Sequence, residues 1–567
     1  MRYFVLAADY DGTLARKGKV DQQTVAALQR VRESGRINIL VTGRQIDDLL
    51  NTFPHPELFE RIVAENGAVI YNPSNRKETV LGEPPPETLI ETLRNQNIPL
   101  AVGRVIVATT VPHETSVLRV VRELGLEWQV IFNKGAVMTL PAGVNKALGL
   151  QTALSELGFS PHAVIGIGDA ENDHAFLESC ACSVAVSNAL PSLKERADLV
   201  TQHDHGAGVT ELIEKLVATD LIELAEKLQR HDIELGFRDG PAPVRIPAYG
   251  SSILVAGTSG GGKSTLTTGF MERLREKKYQ FCIVDPEGDY SDIDLPVLGD
   301  KAHAPNPSEI MGVLMQPDQN IVINLTGITL EQRPAFFTGL LPHFQEFRAR
   351  TGRPHWFFID EAHHLLPETR DSSSWIPQSL HGIWMVTVHP EHVSRSVLLT
   401  VNTVVAIGNR PKETIASFGR KLGVNSPDIP QRELEAGEAI VWDRNSGQNP
   451  FRIRSISPRS ERQRHKRKYA EGELPPDQSF YFRGPEGRLN LRAQNMQLFI
   501  QLSDGVDDET WLHHLSRGDY SDWLENLIKD PELAAAVSRV ERNRALSAKE
   551  SRTAIRELIE ERYTAPE

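Results

Sequence analysis

Two carboxylates stand two residues apart, Asp9 and Asp11 in DYDGT at 9–13, directly after the apolar run 3–8. A buried parallel strand delivers polar residues into a crevice at its carboxyl end, so both acids are expected to share one site. Thr42 follows a second apolar run, INILV at 37–41, Lys146 opens a helical pattern, and GDAEND at 168–173 closes a third run with Asp169 and Asp173. Phosphoryl transfer to a carboxylate needs a nucleophile, a proton donor for the leaving group, a magnesium ion to offset crowded anions, and a cation for the transferring oxygens. This set contains all four.

A second set lies downstream. GTSGGGKS at 257–264 (Gly257, Thr258, Ser259, Gly260, Gly261, Gly262, Lys263, Ser264, with Thr265 following) fits G-x-x-x-x-G-K-S between a strand pattern and a helix pattern. In that context the backbone amides cradle phosphates at a helix N-terminus, Lys263 reaches the β- and γ-oxygens, and Ser264 ligates magnesium. WFFIDE at 356–361 ends another apolar strand, with Asp360 to hold magnesium through water and Glu361 to polarise the attacking water. Motifs specific for GTP are absent, so ATP is the expected nucleotide.

The elements that must position these groups read as an α/β chain. Strand runs at 3–8, 37–41, 62–64 and 68–71 alternate with helical patterns at 21–34 and 45–52; after 76–144, where strands and helices interleave as an α+β insertion, the alternation resumes with a helix at 146–158 and strands at 163–169 and 184–186. Residues 209–235 read as helical and charged, and the stretch 216–244 as a helical and Pro/Gly-rich linker. Strands at 251–257, 281–285, 321–325, 356–360, 383–388, 403–408 and 439–443 then make one doubly wound domain over 245–455. A basic linker covers 456–478, with six Arg or Lys against one Glu in 459–468; a solvated linker and a contact to nucleic acid phosphates are both open for it. The remainder, 479–567, is helical with no convincing strand beyond SFYFR, and Phe480, Tyr481, Phe482, Phe499, Trp511, Tyr520 and Trp523 read as a small core rather than a base-stacking platform.

The chain has 567 residues, enough for several domains at roughly 100–200 residues each. With 62 Lys and Arg against 75 Asp and Glu, its net charge of −13 excludes a surface built throughout for nucleic acid or anionic membrane. Cys180, Cys182 and Cys282 cannot form a disulfide framework, and no stretch reaches the ~18 apolar residues of a membrane span, so a cytoplasmic protein without a membrane partner is expected. His162, His203 and His205 lack ligand spacing and read as surface residues.

DYDGT, Thr42, Lys146 and GDAEND, in that order over about 1–215, resemble the haloacid dehalogenase superfamily, specifically its Cof-like phosphatases with a large α/β cap, here about 76–144. The resemblance implies a Rossmann-like core with Asp9 as nucleophile, Asp11 as general acid and base, Thr42 binding the phosphoryl group and Lys146 steadying its charge. It implies Mg2+ on a set drawn from Asp9, Asp11, Asp169 and Asp173, with Asn172 behind them. Tyr10 stands where the family usually has an aliphatic residue, and its side chain is expected to point away from the site. The cap would choose a small phosphorylated substrate, with Arg104 and Lys134 either contacting its anionic part or lying on solvated faces.

DPEGDY at 285–290, DEAHHLLP at 360–367, TVHP at 387–390, NR at 409–410 and L-x-x-G-E-A at 434–439 resemble the HerA/FtsK family of hexameric translocases over about 245–455. That resemblance implies a RecA-like P-loop ATPase that assembles as a homo-oligomer, a hexamer favoured, with Arg410 as a candidate arginine finger or an ordinary surface residue. Val388 replaces the Gln that commonly senses the γ-phosphate, so slow turnover is expected; the family's amino-terminal β-barrel has no counterpart here. The leading reading is a bifunctional Mg2+-dependent phosphatase and ATPase whose ATP sites assemble or gate a ring. Its rivals are a nucleic-acid motor of a defence or repair system whose phosphatase processes ends or nucleotides, and a scaffold driven by nucleotide binding alone.

Overall fold

The computed structural model describes residues 1–238, 240–258, 261–290, 293–368, 381–425, 427–429, 434–459, 474, 479–528 and 530–563. It divides into two compact units, Met1–Ile456 and Ser457–Glu567.

The first unit is organised on two large sheets. Among the described residues the N-terminal one has eight strands in the order Leu199–Val200, Cys182–Ala185, Val164–Gly168, Val5–Asp9, Ile37–Val41, Arg61–Ala64, Val69–Asn72 and Lys77–Val80. Its first six are parallel, and Val5–Asp9 lies between Ile37–Val41 and Val164–Gly168, which brings the three chemically marked strand ends together. The strand VLAAD is buried at every position, as expected of a sheet covered on both faces. Lys146–Leu157 is a helix because Asn145 caps it, accepting the Leu148 N–H at 3.0 Å, and Gly158 stops it in the left-handed region. The insertion forms a separate four-stranded antiparallel sheet, Ala101–Val102, Val107–Thr110, Ala136–Pro141 and Trp128–Asn133, backed by helices Glu87–Asn95 and Glu114–Glu123 and holding its own apolar core.

The second sheet has eleven strands among the described residues. Ser252–Gly257 is flanked in parallel by Ile383–Thr387 and Thr403–Ile407, and the sheet continues through Trp356–Ile359, Phe281–Asp285, Ile321–Asn324 and Val297–Leu298. Alternate residues of the central strand enter opposite layers. Leu254 and Ala256 join Phe344, Phe418 and Met385, whereas Ile253 and Val255 join Phe270, Trp356 and Trp384.

Three readings of the sequence are corrected here. The helix expected at 209–235 runs His205–Thr219 and ends where Asp220 turns left-handed and its carboxylate takes the Arg36 guanidinium at 2.8 Å. Residues 233–246, assigned almost wholly to the linker 216–244, form an antiparallel hairpin, Ile233–Phe237 with Pro243–Ile246, at the edge of the second sheet beside Phe451–Ser455. Ile233 and Leu235 point into its core, and a Cβ at Gly236 would lie 2.4 Å from the Arg454 carbonyl, so glycine permits the pairing. His162, expected on the surface, is wedged between the two α/β halves: its ring stacks on Tyr279 at 3.7 Å, and Nε2 meets the Lys277 carbonyl at 2.7 Å. The same seam holds Arg353, which is fully buried and donates from Nη2 and Nε to the Gly158 carbonyl at 2.6 and 3.1 Å, and from Nη1 to Gln280 Oε1 and the Leu314 carbonyl at 2.9 Å each.

In the second unit helices Met496–Gly505, Asp508–Arg517, Asp519–Asn526, Pro531–Arg542 and Ala548–Tyr563 surround Phe480, Phe482, Phe499, Trp511, Tyr520 and Trp523, all buried in one cluster. Phe480–Phe482 pairs with a second short strand, Leu491–Ala493, whose LRA offered too little alternation to read. The basic run lies outside the described residues from 460 onward.

Candidate active sites

At the carboxyl ends of the N-terminal sheet, Lys146 is fully buried and its Nζ donates to Asp9 Oδ1 and Asp173 Oδ1 at 2.6 Å each. Burial pulls this ammonium down, but the Asp173 and Asp9 carboxylates outweigh it and hold it above its ordinary value. Burial, with the Asp173 charge added, pushes the Asp9 carboxyl up against the opposing pull of Lys146. Asp173 is aimed by its own turn, Oδ2 accepting the Asp169 and Ala170 N–H groups at 2.8 and 2.9 Å. Asp169 accepts from Thr13 Oγ1 at 3.3 Å and from Lys134 Nζ.

Asp9, Asp169 and Asp173 each offer an oxygen within 4.8 Å of the others. Three buried hard oxygen donors fit Mg2+ rather than a softer metal. The Asp11 carboxylate is outside this side-chain group: Arg44 grips it with two parallel hydrogen bonds, Nε to Oδ2 at 2.6 Å and Nη2 to Oδ1 at 2.8 Å. Arg44 in turn lies over the Tyr10 ring at 5.3 Å, and Tyr10 turns from the carboxylates toward Phe53 and the Gly18 carbonyl. Thr42 is buried at the next strand end, its Oγ1 accepting the Arg44 N–H at 3.1 Å. Asn172 donates to Asn66 Oδ1 at 3.0 Å.

The two cap residues part company. Lys134, at a left-handed turn between two cap strands, reaches down to Asp169 and to the Asp11 carbonyl at 3.4 Å. Arg104 instead pairs with Asp47 and Glu78 at 2.8 and 3.2 Å on an exposed face. Sequence reasoning missed Arg44, although TGR follows the strand, and Glu65. Glu65 is fully buried in the ENG turn and its carboxylate accepts the N–H groups of Arg104, Val105 and Ile106 at 2.9, 2.9 and 3.1 Å, pinning the cap to the core.

The second site sits at the carboxyl ends of the other sheet. Gly257 leaves its strand at φ 153, where a Cβ would lie 2.0 Å from the Ile407 carbonyl, so the loop turns there only on glycine. Lys263 opens the helix Lys263–Glu276, and its Nζ donates to the Gly257 and Thr258 carbonyls at 3.0 Å each. Ser264 is exposed in the same turn, and Ser259 and Gly260 lie outside the described residues. Asp360 is buried at the end of Trp356–Ile359, and desolvation, with Glu361 beside it, pushes its carboxyl up to about 7. Glu361 follows in a left-handed conformation, 3.3 Å from His363 Nδ1. Asp285 of DPEGDY folds its own loop, accepting the N–H groups of Glu287, Gly288, Asp289 and Tyr290. Arg410 is exposed and lies 3.5 Å from Glu413, an interaction within its own helix turn.

The comparisons with known proteins divide the chain in the same way. A model of the haloacid dehalogenase-like hydrolases matches residues 6–107 and 128–213, and a model of the central domain of the helicase HerA matches residues 234–337. Phosphoglycolate phosphatase 2 of Saccharolobus solfataricus is 32% identical over 223 residues, 38% of this chain and 92% of the relative. A phosphoglycolate phosphatase of Methanothermobacter thermautotrophicus is 32% identical over 222 residues, 37% of this chain and 98% of the relative. A haloacid dehalogenase-like hydrolase structure from Bacteroides thetaiotaomicron is 22% identical, with TM-score 0.34 over 38% of this chain and 99% of its own. The chain therefore belongs, through its N-terminal part, to the haloacid dehalogenase-like hydrolases, and behind that part it is similar over residues 234–337 to the central domain of the helicase HerA.

Proposed function

We propose that the N-terminal site is a Mg2+-dependent phosphomonoesterase working through an aspartyl-phosphate, and that its substrate is a small phosphorylated carboxylic acid such as 2-phosphoglycolate. The observation that carries this reading is the buried Asp9–Lys146–Asp173 bridge with Asp169 alongside. Asp9 attacks phosphorus, Asp11 gives its proton to the departing alkoxide, and Asp11 then takes a proton from the water that splits the acyl phosphate. Arg44 grips both Asp11 oxygens in this structure and must release one before Asp11 can carry the proton for the leaving group; Thr42 donates to a phosphoryl oxygen, and Lys146 balances the negative charge gathered beside Asp9. Asp9, Asp169 and Asp173 would hold Mg2+, which would supply charge neutralisation for the phosphoryl group. Lys134, reaching from the cap, is the group suited to a substrate carboxylate, and the names of the relatives support that substrate class.

The test is phosphate release from 2-phosphoglycolate and from p-nitrophenyl phosphate, with Mg2+ and with chelator. The proposal expects Mg2+-dependent turnover with preference for phosphoglycolate, and Asp9→Asn to reduce both rates at least about 10³-fold. Equal rates for wild type and Asp9→Asn would overturn it.

The second domain we read as an ATPase: Lys263 and Ser264 for the phosphates and Mg2+, Asp360 for the same ion, Glu361 for the attacking water. Arg410 is exposed beside Glu413, so a finger role would act on the site of a neighbouring copy, and the family resemblance favours a ring of about six chains. The match to a helicase domain supports a second reading, a DNA motor, which salt-dependent DNA binding and DNA-stimulated ATP turnover would distinguish. The reduced cytosol remains the proposed setting, in keeping with three free, buried cysteines.

A further inference from the structure

The segment after the strand Ile383–Thr387 carries chemistry that neither site uses. His389, Glu391 and His392 each bring a ligand atom within 4.8 Å of the others. Their approach follows from local geometry, because Pro390–His392 is a turn of 3₁₀-helix, in which residues three apart eclipse. The His389 and His392 rings accordingly stack with centroids 4.9 Å apart. Glu391 is set between two partners: Oε1 lies 3.1 Å from His389 Nδ1, and Oε2 accepts from Ser417 Oγ at 2.9 Å. That outer hydrogen bond orients the carboxylate, as second partners of metal-binding carboxylates do. His389 and His392 are exposed, so an ion can enter from solvent.

The cluster extends toward the nucleotide site. His363 stands edge-on to His389 with centroids 5.5 Å apart, and its Nδ1 lies 3.0 Å from Thr387 Oγ1 and 3.3 Å from Glu361 Oε2. Thr387 Oγ1 also accepts the His389 N–H at 3.0 Å.

We propose that His389, Glu391 and His392 form a binding site for a borderline divalent transition ion of the Zn2+ class, with water completing its coordination. Two imidazoles and a carboxylate are the donors that class selects, whereas Mg2+ prefers the all-oxygen set at Asp9, Asp169 and Asp173. The site is thus chemically orthogonal to the phosphatase metal. Another histidine group, His162, His231 and His355, does not compete, because His162 Nε2 is engaged by the Lys277 carbonyl and His355 Nδ1 accepts the Gln280 N–H.

The test is titration of the full chain with Co2+, a spectroscopic substitute for Zn2+, in millimolar Mg2+ to saturate the carboxylate site, followed by displacement with Zn2+. The expected result is visible ligand-field absorption saturating at one Co2+ per chain, bleached by Zn2+, and weakened at least about tenfold in His389→Ala/His392→Ala. Glu391→Gln, which keeps shape and the Ser417 contact, should weaken it by a smaller factor, and unchanged thermal unfolding of the variants without added transition metal would show that the fold is intact. A double variant that binds Co2+ with wild-type affinity and stoichiometry, or a wild-type chain showing no Zn2+-displaceable absorption, would overturn the proposal.

Discussion

The two strand-end crevices proposed to handle phosphate are prepared differently. At the N-terminal site every charge already has a partner from within the chain: Lys146 between Asp9 and Asp173, Arg44 on Asp11, Lys134 on Asp169. At the P-loop, Lys263 rests on the carbonyls of its own loop and Asp360 is a buried acid with no cation within ion-pair reach among the described residues. Buried opposite charges hold one another in a fixed geometry, whereas a buried carboxylate without such a partner stays costly until a cation arrives. The charges of the first site are matched by folding, whereas the second keeps a buried acid for a cation to meet, as the proposed hydrolase and ATPase would require.

The largest effect that would break this contrast is at Lys146. Lys146→Met should leave Asp9 and Asp173 as a repelling buried pair, removing phosphatase activity and costing about 3–5 kcal/mol of stability, read by denaturant unfolding. Partial relief by lowering pH is expected, because protonating one carboxyl removes the repulsion. If unfolding is unchanged, the bridge does not hold the site together. Next is Glu361→Gln, which should cut ATP turnover by about 10²–10⁴ while leaving ATP binding intact, measured by steady-state hydrolysis and by nucleotide titration. Lost binding would show that Glu361 is structural.

A smaller effect tests the seam between the two α/β halves. Arg353→Met removes the bonds to Gly158, Gln280 and Leu314 and leaves buried acceptors unmatched, so a loss of about 2–4 kcal/mol is expected by thermal unfolding. A pH effect at Asp360 probes the second site in another way. Its carboxyl, near 7 in the folded chain against about 3.9 unfolded, makes the folded state bind more protons between those values. Stability should therefore fall as pH rises through that window, and Asp360→Asn should flatten the slope.

How much of this could be read from the sequence follows from what sets each feature. Asp9, Thr42, Lys146, Asp169 and Asp173 were legible because each ends or begins an element whose apolar pattern announces it. The P-loop strand, its helix and DE at 360–361 were legible for the same reason. Arg44 was not, since a lone Arg after a strand has no periodicity and its partner, Asp11, is set by side-chain reach rather than spacing. Glu65 was hidden likewise: its three amide donors belong to residues 104–106, nearly forty positions away. The hairpin at 233–246 was taken for linker because Arg238, Pro241 and Pro243 mask a short alternation, and only its pairing with Phe451–Ser455 makes it a strand edge. These tertiary facts also bear on a boundary at 215. All the chemical groups of the proposed phosphatase lie before it, but that boundary cuts the helix His205–Thr219 and discards Asp220, which clasps Arg36 and the backbone N–H of Arg2.

The central claim is that Asp9 carries the phosphoryl group and that the P-loop domain does not. It is tested most directly by acid-quenching a single turnover of the full chain with ³²P-labelled 2-phosphoglycolate and Mg2+, then mapping the label by proteolysis. The account predicts an acid-stable, hydroxylamine-labile label on the peptide containing Asp9, absent in Asp9→Asn and unaffected by Glu361→Gln. Turnover of the substrate with no label at Asp9, or with label on any other residue, would contradict it.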